Sequence, residues 1–430
     1  MEHRIQNFET LATNDMRRDA LAIAEAGYAA VDVGAALART LRIEGETLRV
    51  GDTTYPLAGR KVYFVGVGKC ANTAARAVEQ LLGDLLTSGI ALDVSPLEEG
   101  TLTKIEALIG THPLPSEVNV QATKRIMEFL SDLHENDLVI MLISGGGSTL
   151  LCLHGSSMTC LDESVLFADL TGKGASIQEI NIVRKHISRA RGGALAAAAY
   201  PAEVVSLIVS DVPGNNIEFI SSGPTVLDSS TVDDARAVIN KYGIVASENI
   251  EFIETPKEEK YFKRINNVLL LSNKDALSAM KDEAVRLGYS VTIEDDDFAG
   301  EASEIGRKIV EKLHTSAAKS ALVYAGESTV AFGKNSGVGG RNQEMALSVL
   351  EYLNDGELIL PFASDGRDNT NHAGAIADAV TLEHTREKNL SVEEHLSAHS
   401  SYDFFKFSGD ALITGYTGSN VSDLIIALKK

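Results

Sequence analysis

Residues 61–82 read KVYFVGVGKCANTAARAVEQLL. Residues 62–67 are a short apolar run rich in β-branched side chains, the composition of a strand buried on both faces. From Ala71 onward alanine, valine and leucine recur at the 3.6-residue spacing of a helix. Gly66-x-Gly68-Lys69 fills the turn between them. Glycine there lets backbone N–H groups and a helix N-terminus approach an anion. Strand, glycine turn and helix, in that order, open a βαβ unit.

The same alternation recurs along the chain. Short β-rich runs at 62–67, 138–143, 204–209, 268–271, 321–324 and 358–363 end in glycine or polar residues, and most lead into helical stretches. The pattern predicts an α/β fold on a doubly wound parallel sheet, with ligand sites at the C-terminal ends of the strands. The first 45 residues are helical in pattern. At 430 residues the chain exceeds the roughly 250–300 residues at which single cores stop growing. Two domains are expected, and the polar stretch EFIETPKEEKYFKR at 251–264 places their junction near 257, giving 1–257 and 258–430.

Composition narrows the function. The chain is 44% hydrophobic and 23% charged, with a formal net charge of −21. That charge disfavours nucleic acid and anionic membrane as partners, since both demand a positive surface. No apolar run reaches the roughly 18 residues of a membrane span and the N-terminus has no apolar signal core, so a cytoplasmic location is expected. Cys70, Cys152 and Cys160 include no C-x-x-C pair and read as reduced thiols. In so acidic a protein an anionic substrate must meet a local cluster of positive groups.

The strand ends carry the chemistry. Gly66, Gly68 and Lys69 do not make a Walker A loop, because Cys70 follows the lysine and Tyr63 occupies the first glycine position. They do fit G-x-G-x-x-A, with Asp93 after the next strand as a ribose ligand, which keeps an NAD(P)-dependent dehydrogenase open as a rival. Ser144, Gly145, Gly146, Gly147 and Ser148 make a backbone nest suited to phosphate oxygens. Asp211 follows another strand, and the chain returns through Ser222, Gly223 and Thr225. Between these loops, residues 181–193 place Arg184 with Ser188, and Lys185 with Arg189, on shared helix faces; His186 is a candidate base. In the second half Glu327 ends a strand, and Gly339, Gly340, Arg341 and Asn342 open a helix. Asp365 ends a further strand, and TGYTGSNV at 414–421 is the last such loop. Seven loops of this kind favour an extended polyphosphate site.

Taken in order, VGVGK, SGGGSTLL, NIVRKHIS, SDVPGN, SSGPTV, GESTV, GGRNQEMAL, SDGRD with HAGA, and TGYTGSNVSDL resemble the glycerate 2-kinase family, the class that ends in a MOFRL domain. The resemblance runs from about Val65 to the C-terminus. It implies two α/β domains, the first Rossmann-like, with the active site in the cleft between them. It implies phosphorylation of the 2-hydroxyl of D-glycerate by ATP, with Mg²⁺ or another divalent cation. The expected partners are small molecules, with a homodimer left open. In such a kinase Lys69 and Arg341 would hold the acceptor carboxylate or the γ-phosphate, and the 144–148 and 222–225 loops would cradle phosphates. Asp211, Glu327 and Asp365 would supply the metal ligands, and Asp211 or Asp365 would take the hydroxyl proton. The chain departs from the family pattern at Ala194, Arg367 and Tyr416. The rival readings are a hydroxypyruvate reductase, a kinase for a related hydroxy acid, and a binding protein without turnover.

Overall fold

The structure, a computed structural model, describes residues 3–97, 100–155, 158–244, 250–331 and 337–430. It divides into two compact units. A central unit comprises Val33–Ser210 and Asn215–Leu270; a terminal unit comprises Met1–Asp32, Asp211–Gly214 and Leu271–Lys430.

The central unit is built on a six-stranded sheet in the order Ile105–Ile109, Leu86–Asp93, Val62–Val67, Leu138–Ile143, Glu203–Val209, Ile265–Leu271. Numbered along the chain this is 3-2-1-4-5-6, the doubly wound order of dinucleotide-binding folds. The first five strands pair in parallel. Leu138–Ile143 is buried at every position, as its unbroken apolar run requires. Helix Ala71–Leu82 lays Ala71, Ala74, Ala75 and Val78 onto the sheet, small side chains that allow close packing. A three-stranded antiparallel sheet, Leu41–Glu44, Thr47–Val50 and Thr53–Pro56, precedes it and was not expected.

The terminal unit has a mixed sheet. Its order is Ser290–Glu301, Ser320–Thr329, Asp423–Lys429, Glu357–Ala363, Gly374–Ala375, Ala411–Leu412. Only the first pair is parallel; the last strand of the chain enters antiparallel to both neighbours. Its Ile425 and Ala427 pack into a core with Met345, Leu347, Phe404 and Phe405.

The bounds of the units differ from the expected break at 257, because residues 3–32 pack with the C-terminal half. Arg17, 1% exposed, is the anchor. It donates to both carboxylate oxygens of Asp378 (2.8 and 2.6 Å) and to Thr381 Oγ1 (2.8 Å), and pairs with Asp410 (2.8 Å). Asn7 Nδ2 donates to Ala411 O (2.8 Å) and Gln6 N to Ile413 O (2.7 Å), extending the seam. Residues 258–270, expected in the second domain, belong to the central unit.

Candidate active site

In the central unit Leu92, Val67, Ile143 and Ile208 form one register row, so four parallel strands end together. Strand order reverses between Val62–Val67 and Leu138–Ile143, and open sheets of this type bind ligands beyond the carboxyl ends at that switch point. Loops 66–69 and 144–148 flank it and are tied together. Ser144 N donates to Val67 O (2.9 Å), Lys69 N to Gly145 O (2.9 Å) and Cys70 N to Ser144 Oγ (3.2 Å). Gly68 has φ +117°, and a Cβ there would lie 2.3 Å from Ser144 Oγ, so glycine is required. Half-buried Lys69 runs past Gly146, whose own Cβ would lie 3.2 Å from Lys69 Cγ.

A third loop closes on the second. Ser221 Oγ donates to Ser144 O (2.6 Å), Ser148 Oγ lies 3.0 Å from Ser222 Oγ, and Ser222 Oγ donates to Asn181 Oδ1 (2.9 Å). Ser221 and Ser222 hold φ of 52° and 59°. Left-handed non-glycine residues cost about 1–3 kcal/mol each and cluster at ligand clamps. Gly223 continues the left-handed run at φ 58°.

Several expected ligands have structural roles instead. Ser144 is fully buried between loops, and Thr225, 1% exposed, pairs with Ser206 Oγ (3.0 Å) and donates to Asn267 Oδ1 (2.8 Å) inside the sheet. Asp93, also 1% exposed, accepts from the amides of Asn72 (2.9 Å), Val94 (2.6 Å) and Ser95 (3.1 Å). Burial pushes its pKa up to about 6 against those amides. A carboxylate spent on the start of helix Ala71–Leu82 is not placed as a ribose ligand, which removes the main support for a dinucleotide site. The basic stretch 181–193 is largely internal as well: Lys185 pairs with Asp228 (3.1 Å), His186 with Glu254 (3.2 Å) and Arg191 with Glu163 (2.8 Å). Arg184 stacks on Phe167 at 4.4 Å, and burial lowers its pKa to about 10.

In the terminal unit a second row, Gly326–Asp423–Ala363, brings Glu327 and the 364–368 and 417–422 loops to one edge of the sheet. Arg341 lies across it, donating to Asp423 (2.5 and 3.3 Å) and Glu327 (2.5 Å). Burial works against the guanidinium charge, but Asp423 and Glu327 outweigh it and raise its pKa; burial pushes Asp423 up to about 7 against the pull of Arg341. The start of helix Arg341–Val349 already holds an anion, Asp368, whose oxygens accept from Asn342 N (3.1 Å), Gln343 N (2.8 Å) and both side-chain amides. A Cβ on Gly340 would lie 2.1 Å from Asp368 Cγ, and one on Gly339 2.2 Å from Ser401 Oγ. These glycines and Asn342 therefore fit the helix to its own protein rather than to phosphate, and Arg341 is engaged by two carboxylates. Asp368 and Asp423 were not singled out from the sequence, although both stand in the quoted motifs.

Asp211 lies in this unit. It accepts from Asn420 Nδ2 (3.1 Å) through Oδ2, and its carbonyl accepts from Ser422 Oγ (2.9 Å). Asp365 accepts from Arg367 N (2.9 Å) through Oδ1, and its carbonyl accepts from Thr417 N (3.1 Å). Ser364 Oγ, accepting from Val421 N (2.8 Å), ties the two loops together. Asp211 thus meets the 417–422 loop at Asn420 and Ser422, and Asp365 meets it at Thr417, while Glu327 is paired with Arg341. Among the described residues these three carboxylates do not form a three-ligand metal cluster.

Residues 19–253 match the family described as Domain of unknown function (DUF4147), and residues 320–423 match the MOFRL family. A glycerate 2-kinase of Pyrococcus horikoshii is 36% identical over 96% of this chain and 97% of its own. An Agrobacterium vitis protein provisionally named a hydroxypyruvate reductase is 38% identical over 84% of this chain and 85% of its own. The crystal structure of the Thermotoga maritima glycerate kinase superposes with a TM-score of 0.82 at 33% identity, covering 96% of this chain and 99% of that one. The chain belongs to the glycerate 2-kinase family. Two of its departures from the glycerate 2-kinase motifs are in contact: the Arg367 guanidinium sits 4.9 Å over the Tyr416 ring. A cation–π contact of this kind contributes about 0.5–1 kcal/mol at an exposed site. The third departure, Ala194, is buried at the start of helix Ala194–Ala199 in the central unit.

Proposed function

We propose that this chain transfers the γ-phosphoryl group of ATP to the 2-hydroxyl of D-glycerate, giving 2-phosphoglycerate and ADP. The observation that carries the reading is Lys69 beside the 145–148 glycine loop, at the switch point of a 3-2-1-4-5-6 sheet in a member of this family. Phosphoryl transfer asks a protein to position two anions and to stabilise charge on the equatorial oxygens. Lys69 supplies a compact positive charge for a phosphate or for the acid's carboxylate, and the backbone of the 145–148 loop, held by the Ser148–Ser222–Asn181 hydrogen bonds, supplies donors.

In the terminal unit, Asp211 and Asp365 are the carboxylates that suit proton acceptance from the hydroxyl. They also suit Mg²⁺, a cation that takes oxygen ligands, keeps several waters and needs only one or two carboxylates beside substrate phosphates. When bound, Mg²⁺ neutralises phosphate charge. Arg341 and Glu327 act as positioning residues, fixing the edge from which Asp423 and the 417–422 loop extend.

No helix among the described residues is long and apolar enough to cross a membrane, and a cytoplasmic location is part of the proposal. The test is ADP release from ATP and Mg²⁺ over a panel of hydroxy acids. D-glycerate is expected to be the preferred acceptor. A better turnover of another hydroxy acid would move the substrate; NADH or NADPH oxidation with hydroxypyruvate, without ADP release, would replace the reading with the reductase.

A further inference from the structure

Two of the thiols that read as inert in the sequence meet in the central unit. Cys152 and His154 sit two apart in the segment after the 144–150 loop, and Cys160 and Glu163 sit at i and i+3 on helix Cys160–Gly172, so each pair presents one face. Thr159 caps that helix with a reciprocal box to Asp162, which fixes the direction of its first turn.

Cys152 Sγ, His154 Nε2 and Glu163 Oε2 lie within 4.8 Å of one another, and Cys160 Sγ stands against Cys152 at the edge of that group. Cys152 Sγ lies 3.5 Å from Cys160 Sγ, 3.7 Å from His154 Nε2 and 3.5 Å from Glu163 Oε2. A tetrahedral zinc site, with bonds of about 2.0–2.3 Å, has ligand–ligand edges of about 3.3–3.8 Å. The three edges from Cys152 have that length; to close the site the His154–Glu163 contact lengthens and Cys160 Sγ, which lies outside the group of atoms within 4.8 Å of one another, moves in. Cys152, His154 and Glu163 are 0%, 9% and 2% exposed. The other oxygen of Glu163 pairs with fully buried Arg191 at 2.8 Å, the kind of outer contact that orients a ligating carboxylate. Two thiolates, one carboxylate and a neutral imidazole around a divalent ion leave one negative charge, which Arg191 offsets.

We propose that Cys152, His154, Cys160 and Glu163 form a structural zinc site, clamping the segment behind the glycine loop to helix Cys160–Gly172. Thiolate and imidazole donors select zinc over magnesium, so the site is separate from the cation of the kinase reaction and does not depend on that reading. The test uses the full-length protein under reducing conditions, with metal content measured by mass spectrometry and Co²⁺ as a spectroscopic probe. The expected result is about one zinc per chain, and a thiolate-to-Co²⁺ charge-transfer band in the cobalt form. Cys152→Ser and His154→Ala should lose the metal, Cys160→Ser should weaken the band and the affinity at least about tenfold, and Cys70→Ser should leave both unchanged. Wild-type protein that takes up neither Zn²⁺ nor Co²⁺ would overturn the proposal. So would equal loss in Cys70→Ser, or a Cys152–Cys160 disulfide that persists in reductant.

Discussion

Lys69 is the side chain on which the proposed chemistry depends most. Removing a preorganised charge from a phosphoryl-transfer site costs about 100- to 1000-fold in kcat. Lys69→Met is expected to lose at least that much ADP release while its melting temperature stays near wild type, since the lysine side chain is half-buried. Loss of activity together with collapse of stability would make Lys69 a structural residue. A second expectation concerns His372, 4% exposed, with Nδ1 2.9 Å from Gln343 Oε1. Burial, and then Lys406, lowers its pKa from 6.5 to about 4. The unfolded chain therefore binds this proton near pH 6.5 and the folded chain only near pH 4, so stability must fall as pH falls through that window. One such group contributes a slope of up to about 1.4 kcal/mol per pH unit. Denaturant titrations across the window should show this slope, and His372→Gln should flatten it.

Helix starts show how far local sequence can be read. The glycines and small residues ahead of Ala71 and Arg341 announce helix N-termini that receive an anion, and both do. The anions are Asp93 and Asp368, each delivered by a different loop. That pairing depends on where the chain returns in space, which neither motif encodes. The strands, by contrast, were legible: 62–67 and 138–143 agree at both ends with the apolar runs, because a strand buried on both faces needs nothing but its own composition. The final strand, Asp423–Lys429, was not read, and its antiparallel entry makes the sheet of the terminal unit mixed. Asp368→Ala should leave buried amide donors without a partner and cost at least about 2 kcal/mol. A thermal shift close to zero in that variant would mean the helix start is held by other contacts.

Across the molecule, the compact units differ from the expected break near 257 in that the N-terminal helices, which the sequence leaves free to pack on either domain, belong with the C-terminal half. Arg17 stands in an unremarkable helical run, and its partners Asp378 and Asp410 lie more than 350 positions away, so no local pattern signals them. Breaking a buried ion pair by removing one partner costs about 3–5 kcal/mol. Arg17→Ala, which strands two buried carboxylates, is expected to destabilise the terminal unit by that order in denaturant unfolding; an effect under about 1 kcal/mol would show that the N-terminal helix is not anchored there. The strand-end motifs were visible because phosphate chemistry uses recognisable glycine, hydroxyl and charged residues, whereas the division of labour among them required the hydrogen bonds. The central claim is met most directly by phosphorus NMR of the products from ATP, Mg²⁺ and D-glycerate. The account predicts ADP and 2-phosphoglycerate in equal amounts, lost in Lys69→Met. Phosphate on the 3-hydroxyl, or no phosphorylated acid at all from folded wild-type protein, would contradict it.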